Sequence, residues 1–368
     1  MSVVTDATVR SGDKLRVTRS RRNVAWTGIG AVLIVVVLAA FPYYVKSGVL
    51  VIMIQGLIVL ALASMWNLLA GYAGLVSVGQ QAFFGLGAYF LLICAMHGLS
   101  PFAALPLAAI GGGVAAFPLW WLVSRLRTGY FAIATWVMAA ALLQLIERFQ
   151  SIGGGSGLPL PGLVGYNPAV LTADTYWAAL AVAVLAMAAV YLLLRSRLGL
   201  VLTAIRDDER AARSSGARVG VARLLVFVVA AVGCGAAGGV EAIDQLGVTP
   251  VGPGGVFSVQ WTAIMAFAVI IGGLGTIEGP IIGTIVYMVL QQTLQSHNAW
   301  YLIILGLVAI GIALFARRGL WGLLDEKLNI RLFPVGYYLW APGQSRRRRR
   351  NGSGSASAGT EVKAGTAK

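Results

Sequence analysis

The sequence predicts an all-α fold, a polytopic helix bundle in a membrane with about ten transmembrane segments. Only 11% of its 368 residues are charged, while 58% are hydrophobic. A soluble domain carries about 25% charged residues, so this chain has too few charges to cover a surface that faces water. Apolar runs close to the roughly 20 residues that cross a bilayer recur along its length. Basic residues collect in alternate links between those runs, as in multi-pass membrane proteins.

Ten apolar runs are predicted to be membrane spans. The third is interrupted by Gly79, Gly85 and Gly87, so it is either a span, a half-helix or a re-entrant segment. Non-helical backbone at membrane depth is tolerated only where protein or a water-filled cavity covers it. The ten runs are Val24–Val45, Val49–Ala70, Leu75–Met96, Phe102–Val123, Tyr130–Glu147, Thr175–Leu194, Val221–Val240, Phe257–Gly272, Ile277–Gln295 and Trp300–Ala316.

The distribution of basic residues supports this layout. With a cytoplasmic N-terminus, the inner segments are residues 1–23, 124–129, 195–220 and everything after 316. Of the 28 Lys and Arg residues, 25 lie in these segments, and Arg223 lies just beyond one of them. Lys46 and Arg148 are the two that lie elsewhere. A wrong number of spans would scatter the basic residues over both sides, so the pattern favours ten spans with both termini in the cytoplasm.

The chain is predicted to have three parts. A basic cytoplasmic segment (1–23) precedes a transmembrane domain (24–322), which includes a charged link (199–220), and a cytoplasmic segment (323–368) follows. From about residue 344 we expect disorder, because the Arg346–Arg350 run precedes a low-complexity polar tail. The net charge of +15 is expected to reflect attraction to anionic membrane lipid, and not binding of nucleic acid.

The charged link between the sixth and seventh runs is the most informative stretch. Asp207, Asp208 and Glu209 come before Arg210 and Arg213. Acidic residues first and basic residues last complement a helix macrodipole, so a short helix is predicted. Gly216 stands where a left-handed cap would end that helix. So many charges between two spans indicate contact with a soluble partner.

The sequence offers little support for an enzyme. It contains no GxxxxGK[ST] phosphate-binding loop, so the chain is not predicted to bind ATP itself. His97 and His297 lack the spacing of metal ligands, and no Ser/His/Asp or Cys/His set stands in a supporting context. We therefore predict no catalytic residue and no metal, and a membrane-embedded enzyme is the least supported alternative.

Carboxylates within the apolar region lie near the ends of the predicted spans. Such groups are costly at the bilayer centre, by roughly 2.5–3.5 kcal/mol, so we expect water to reach them. A carrier driven by protons or sodium keeps a carboxylate at mid-depth for its coupling ion, so an ion-coupled secondary transporter is a disfavoured alternative. The residues are Glu147, Asp174, Glu241, Asp244 and Glu278.

Two further patterns concern helix packing and the outer surface. Small residues recur every four positions at Gly235 and Gly239, and again at Gly275, Gly279 and Gly283, which lets helix backbones approach closely. They are predicted to pack helices within the chain, with a seam between two membrane-embedded chains as the alternative. Two outward loops, 150–174 and 244–255, are either connectors or a docking surface for a substrate-delivery protein.

Six blocks of sequence carry a family resemblance. They are LLAGYAGLVSVGQQAFFGLGAYF (Leu68–Phe90), YFAIATW (Tyr130–Trp136), GGGSGL (Gly153–Leu158), AIRDDERAARSSG (Ala204–Gly216), IIGGLGTIEGPIIGT (Ile270–Thr284) and LFARRGLWG (Leu314–Gly322). In this order they resemble the branched-chain amino acid ABC transporter permeases, the LivM-type subunit.

The resemblance implies the permease subunit of an ATP-binding-cassette importer in a prokaryotic cell membrane. ATP would be bound by partner subunits and not by this chain. The implied partners are a second permease subunit, two cytoplasmic ATP-binding subunits and an extracytoplasmic substrate-binding protein. Branched-chain or related amino acids are the implied substrates. Permeases for urea or short-chain amides resemble this group closely and remain an alternative.

The resemblance also assigns roles within the chain. Ala204–Gly216 is similar to the family's coupling helix. The family usually has an acidic residue just before the paired alanines, and this chain has Arg210 at that position. A solvated linker face is the alternative. The predicted contacts with the ATP-binding subunit are Arg206, Asp207, Asp208, Glu209, Arg210 and Arg213, with Ile205, Ala211 and Ala212 seating the helix and Gly216 ending it.

The substrate path is expected at the interface with the partner permease. The candidates are the polar residues Ser77, Gln80 and Gln81 of the broken third run, with Trp136 and Gln144 of the fifth. Neutral polar side chains suit a zwitterion or a small amide. The alternative is that these side chains only hold helices together by hydrogen bonds.

Overall fold

The computed structural model describes residues 16–18, 21–126, 128–163, 165–252, 254–294, 300–315, 319–328 and 338–340. The chain divides into two compact units, one of residues 1–25 with 336–368 and one of residues 26–335. The described residues form four short strands: β1 (Arg16–Thr18), β2 (Leu158–Pro159), β3 (Gly247–Val248) and β4 (Tyr338–Trp340). In the first unit β1 pairs antiparallel with β4, and Val17 lies opposite Leu339.

The remaining structure is helical, as the sequence predicted. The described helices are α1 (Arg21–Ala39), α2 (Ser47–Asn67), α3 (Gln81–Met96), α4 (Pro101–Val123), α5 (Thr128–Glu147), α6 (Pro168–Arg195), α7 (Arg197–Asp207), α8 (Glu209–Ser214), α9 (Val219–Asp244), α10 (Val259–Gly272), α11 (Gly279–Leu294), α12 (Trp300–Phe315) and α13 (Gly319–Leu328).

Each of the ten predicted spans coincides with a helix, but their number as membrane crossings stays a prediction. By length and composition, five described helical segments are able to cross a bilayer: Ser47–Tyr72, Pro101–Val123, Gly129–Glu147, Pro168–Arg195 and Val219–Asp244. Four shorter apolar segments are Ile29–Tyr43, Gln81–Met96, Val259–Gly272 and Gly279–Leu294. The predicted disordered tail lies outside the described residues.

The third predicted span begins later than its sequence suggested. Helix α3 starts at Gln81, and residues 73–80 are mainly irregular, which agrees with the half-helix or re-entrant interpretation. Whether this segment crosses the membrane stays a prediction. A π-helical turn, Leu68–Tyr72, precedes them. The irregular backbone is covered by protein, because the indole of Trp66 donates a hydrogen bond of 2.9 Å to the carbonyl of Ser77.

Helix α9 lies at the centre of the packed core. It contacts α2, α3, α4 and α6. Its Phe227 ring meets Phe83 edge-on at 5.3 Å between centroids and Trp120 at 5.2 Å. Aromatic pairs in this arrangement add to the stabilisation that burial provides.

Glycines set the close approach of α3, α4 and α9. A Cβ added at Gly87 would overlap the carbonyl oxygen of Gly235, and Gly235 in turn faces Ala108 and Gly112 of α4. Gly239 faces α4 as well as α3. These contacts lie within one chain, in agreement with the prediction that the glycines pack helices of the same chain against each other.

The second glycine group differs from its prediction in one respect. Gly279 and Gly283 lie on α11, where Gly283 packs against the carbonyl of Ala268 on α10. Gly275, placed by the sequence pattern on the same helix, instead lies in the hairpin before it with φ of +76°. The left-handed backbone of Gly275 ends helical periodicity there, so its spacing from Gly279 is not a packing motif.

The two predicted outward loops contact each other. Strand β2 of the first loop pairs antiparallel with β3 of the second, and the amide of Leu160 donates to the carbonyl of Leu246 over 2.9 Å. The first loop is shorter than predicted because α6 begins at Pro168, where the Asn167 side chain accepts a hydrogen bond from the Ala169 amide. A side-chain cap followed by proline is a strong start signal for a helix.

Candidate coupling segment and transport path

The charged link between α6 and α9 folds as two helices and not as one. Helix α7 ends at Asp207, and Asp208 takes an extended conformation with φ of −154°. The Asp208 carboxylate then accepts hydrogen bonds from the amides of Arg210 at 2.8 Å and Ala211 at 3.1 Å. Aspartate satisfies the free amides at a helix start, so it begins the six-residue helix α8. The prediction of one charged helix that includes Asp207 is therefore wrong.

Helix α8 ends in a Schellman motif. Gly216 has φ of +84°, as the sequence predicted for a left-handed cap. Its amide donates to the carbonyl of Arg213 at 3.0 Å, and the amide of Ala217 donates to the carbonyl of Ala212 at 3.1 Å. These two bonds satisfy carbonyl groups that the end of the helix leaves free. Both ends of α8 are thus fixed by specific residues.

An ion-pair network ties α8 to α9. Glu209 accepts from Arg213 of its own helix at 2.6 Å and from Arg223 of α9 at 2.9 Å. Burial opposes the charged form of Glu209, but hydrogen bonds and positive charge from Arg223 and Arg213 outweigh it and lower the pKa of this carboxyl. Glu209 is therefore ionised at neutral pH and links the two helices.

Most of the predicted contact residues on this segment are exposed. Arg206, Asp208, Arg210 and Arg213 are exposed, whereas Glu209 is half-buried. The side chain of Asp207 lies outside the described residues. These positions leave a charged surface on α8 and on the end of α7.

Only two of the three predicted seating residues are buried. Ile205 and Ala212 are each 4% exposed, but Ala211 is exposed. Successive side chains on a helix point about 100° apart, so a helix as short as α8 cannot bury both neighbouring alanines on one face. Ala211 is therefore not packed within this chain, and its role in seating the helix stays a prediction.

The end of α7 contacts the hairpin between α10 and α11. The side chain of Asn67 donates to the carbonyl of Thr276 at 2.7 Å and accepts from the amide of Gly275 at 2.8 Å. The guanidinium of Arg206 lies against Gly275, where it would clash with any added side chain. The hairpin, the end of α2 and the charged link are therefore in direct contact.

Ser77 and Gln80, two of the path candidates, are bonded inside the protein. Ser77 is 1% exposed and Gln80 is fully buried. The Gln80 amide donates to the Ser77 hydroxyl at 3.4 Å, and the thiol of Cys234 donates to the Gln80 carbonyl at 3.3 Å. Their arrangement fits the alternative in which they hold helices together.

Gln81 and Trp136 line a common cavity of about 270 Å³. Gln81 is buried and its carbonyl accepts from the Thr262 hydroxyl. Trp136 is 52% exposed, and Gln144 is exposed two turns further along α5 without lining the cavity. The structure thus joins two of the five path candidates, leaves Ser77 and Gln80 in the core, and leaves Gln144 on the exposed face of α5.

The expectation that water reaches all the carboxylates is wrong. Glu241 is 1% exposed and Glu278 is 7% exposed, because neighbouring helices cover both. Gln55 of α2 donates its side-chain amide to Glu241 at 3.3 Å and to Asp244 at 2.8 Å. The sequence analysis did not single out Gln55, although an isolated polar residue within the run Val51–Leu60 was a usable signal.

The fold and the composition together define the class of protein. The described residues contain five helices able to cross a bilayer, and they contain no group of three or more His, Cys, Asp and Glu residues able to hold a metal. The molecule is a membrane-embedded helical protein, and its relatives are transport components.

Residues 44–313 match the family model described as "Branched-chain amino acid transport system / permease component", so the chain belongs to this family of transport permeases. It is 27% identical to the high-affinity branched-chain amino acid transport system permease protein LivM of Salmonella typhimurium, over 81% of this chain and 76% of that protein. It is 28% identical to the protein of the same name from Escherichia coli, over 82% of this chain and 76% of that protein. No solved structure matches it significantly.

Proposed function

We propose that this chain is the membrane-spanning subunit of an ATP-binding-cassette importer that carries branched-chain or related amino acids into a prokaryotic cell. The family match and the two LivM relatives support the transport role. The observation that carries the proposal is the α8 segment, a charged helix capped at both ends and joined to the central helix α9 by Glu209 and Arg223.

The coupling segment has the properties that a contact with a motor subunit requires. Its seating residues Ile205 and Ala212 are buried, while Arg210 and Arg213 point their charge outward. A rigid short helix transmits a displacement to the helices on which it is fixed, whereas an uncapped loop would absorb it. ATP is bound by two cytoplasmic subunits, and their closure moves α8 together with α9.

The path is completed by a second permease subunit. Trp136 and Gln144 lie on the same exposed side of α5, where a partner chain is able to cover them. The cavity that holds Gln81 and Trp136 then lies beside the interface between the two permeases. Both termini are cytoplasmic in this arrangement, and the basic end segments contact anionic lipid.

The paired loops form the docking surface for an extracytoplasmic substrate-binding protein. The β2–β3 pair joins the loops 150–174 and 244–255 into one structure at the end of α9 opposite to α8. Gly153 and Gly157 hold left-handed conformations in the first loop. Such turns fix loop shape, which a docking surface requires.

The proposal is tested by reconstituting the chain with its partner permease, two ATP-binding subunits and binding protein in proteoliposomes. We expect ATP-dependent uptake of labelled leucine, isoleucine or valine. Arg210→Glu reverses charge on the exposed side of α8 and should lower uptake at least tenfold, whereas Ser214→Ala on the same helix should not. Uptake of urea or acetamide alone would replace the substrate assignment. Uptake that survives ATP depletion and collapses with an ionophore would overturn the importer assignment.

A further inference from the structure

A large cavity lies at the C-terminal end of α9, away from the coupling segment. Its volume is about 550 Å³, within the range of roughly 300–1,000 Å³ that is typical of small-molecule sites. Five helices of this one chain, α2, α6, α9, α10 and α11, contribute its walls. The cavity is separate from the candidate path residues Gln81 and Trp136, which line the smaller cavity.

One wall carries two acidic side chains whose hydrogen-bond partners among the described residues are neutral amides. Glu241 is 1% exposed and accepts from Gln55 at 3.3 Å and from Gln245 at 3.1 Å. Asp244 accepts from the same Gln55 amide at 2.8 Å. These contacts bring no positive charge to either carboxyl group.

This wall favours a positively charged ligand. Burying a carboxylate without a cation is costly, and a neutral amide offsets only part of that cost. The C-terminal end of α9 adds the negative end of a helix dipole. Lys and Arg are absent from the described residues that line the cavity. A cation entering it would therefore find two neighbouring carboxyl groups that are bonded to neutral amides.

Apolar residues of the lining favour an aliphatic group. Val51 and Val59 of α2, Leu171 of α6 and Ile264 of α10 line the cavity, together with the ring of Trp261. Apolar surface of this kind stabilises a hydrocarbon chain by roughly 25 cal/mol for each Å² removed from water. A bare metal ion would gain nothing from these side chains. The ligand that fits both the acidic and the apolar residues carries a positive charge and a branched or linear hydrocarbon.

We propose that this cavity binds a primary ammonium group between the carboxylates of Glu241 and Asp244 and an aliphatic side chain against Val51, Val59 and Leu171. The choice of ligand rests on the proposed function, because a branched-chain amino acid has both groups. Ser258 and Gln291 also line the cavity and are neutral hydrogen-bond donors for the carboxylate of such a zwitterion.

The position of the cavity suits a binding step that precedes translocation. Ser258 at the start of α10 lines both this cavity and the cavity that holds Gln81 and Trp136. A ligand held by Glu241 therefore lies next to the candidate path. Helix α9 joins this cavity at one end to Arg223 and α8 at the other.

Binding is tested with the full chain in lipid nanodiscs, using isothermal titration with 3-methylbutylamine and with 4-methylpentanoate. The first probe has the ammonium and the branched chain; the second has the same chain with a carboxylate. We expect the amine to bind and the acid to bind at least tenfold more weakly. Glu241→Gln and Asp244→Asn should each weaken amine binding at least tenfold, since each removes one of the two carboxyl groups that pair with the ammonium group.

Asp174→Asn is the matched control, because Asp174 lies on α6 but does not line the cavity, and amine binding should be unchanged. Thr172→Trp, which fills the cavity and keeps both carboxylates, should also abolish binding. Equal binding of the two probes, no binding by folded wild-type chain, or full binding by the Glu241, Asp244 and Thr172 variants would overturn the site.

Transport measurements distinguish a failure of this binding site from a failure of the proposed function. If the reconstituted importer carries leucine with the wild-type KM after Glu241→Gln and Asp244→Asn, the site is overturned and the proposed function stands. If the complex takes up no branched-chain amino acid while amine binding still depends on Glu241, the site stands and the proposed function is overturned.

Discussion

Arg223 on α9 lies 2.9 Å from the carboxylate of Glu209 on α8, and this ion pair joins the shorter helix of the charged link to the central helix of the core. The Arg223 side chain is 20% exposed, so the pair is partly shielded from solvent. Its Nε is buried and has no hydrogen-bond partner among the described residues. Loss of Glu209 would therefore leave a largely covered positive charge with no carboxylate.

The first prediction concerns this pair. Glu209→Gln and Arg223→Gln should each reduce uptake per ATP hydrolysed at least threefold, because α8 loses its link to α9. The exchange Glu209→Arg with Arg223→Glu should restore part of the coupling, which measurements of uptake and ATP hydrolysis on the same proteoliposomes will show. Arg218→Gln is the control, since Arg218 is exposed just before α9 and does not belong to the pair of Glu209 and Arg223. Equal loss in all variants would show that the link to α9 has no special role.

The second prediction concerns the effect of low pH on the stability that this ion pair provides. The pKa of Glu209 is lower in the folded chain than the ordinary glutamate pKa of about 4.3. At pH values above this ordinary pKa, the ion pair therefore stabilises the folded chain in full. The stabilisation is lost as the pH falls through the lowered pKa of the folded chain. The difference in free energy of unfolding between wild type and Glu209→Gln should stay constant from about pH 6 to 8 and shrink in acid below about pH 4. Chemical denaturation at several pH values measures it. A difference that already shrinks near neutral pH contradicts the lowered pKa.

The third prediction concerns the end of α8. Gly216→Ala should destabilise the chain by about 1 kcal/mol, because a side chain disfavours φ of +84°. A Cβ at Gly216 would meet no atom within 4 Å, so the effect is conformational and not steric. Gly220→Ala is the matched control, since Gly220 is helical and equally open. Thermal unfolding of both variants should show a loss only at Gly216.

The fourth prediction concerns helix packing. Gly283→Ala should prevent close packing of α10 and α11, because its Cβ would overlap the carbonyl of Ala268. We expect a loss of more than about 2 kcal/mol or no folded protein. Gly306→Ala on α12, with no atom within 4 Å of the new Cβ, should fold normally. Size-exclusion profiles in detergent compare the yields, and a well-folded Gly283→Ala chain would contradict the packing.

The fifth prediction concerns the hairpin between α10 and α11. Asn67→Ala removes both hydrogen bonds to Gly275 and Thr276, and it should cost about 1–3 kcal/mol because their backbone groups lose a partner. Ser64→Ala, which removes a bond only to Leu60 of its own helix, should cost less. Thermal unfolding ranks the two variants. An equal cost would show that Asn67 does not hold the hairpin.

Sequence patterns predicted the helical class and the location of each long helix, because apolar runs and charged links report directly on burial in lipid. Local signals also worked: Gly216 takes the left-handed conformation that its position after α8 required. Patterns failed at two places. The sequence analysis missed a local signal, since Asp208 acts as a helix cap and splits the charged link. Glu241 is buried by helices that are distant in sequence, and spacing along the chain does not report such tertiary contacts.

The candidate path residues also show which features the sequence could predict and which it could not. Gln80 and Gln81 are adjacent in sequence and equally polar, yet one bonds to Ser77 in the core and the other lines a cavity with Trp136. Which way each side chain points follows from where α3 begins, and this start depends on contacts of residues 73–80 with other helices. Sequence spacing alone holds no information on those contacts.

The most direct test of the account is cross-linking from Arg210→Cys in a Cys94→Ala chain, reconstituted with its partner subunits. Arg210 is exposed on α8, and the remaining native cysteine, Cys234, is buried. We predict that a bifunctional thiol reagent joins position 210 to an ATP-binding subunit, and that ATP binding changes the yield. Modification of position 210 in intact cells by a membrane-impermeant maleimide, with no cross-link to that subunit, would contradict the central claim that α8 couples the permease to ATP hydrolysis.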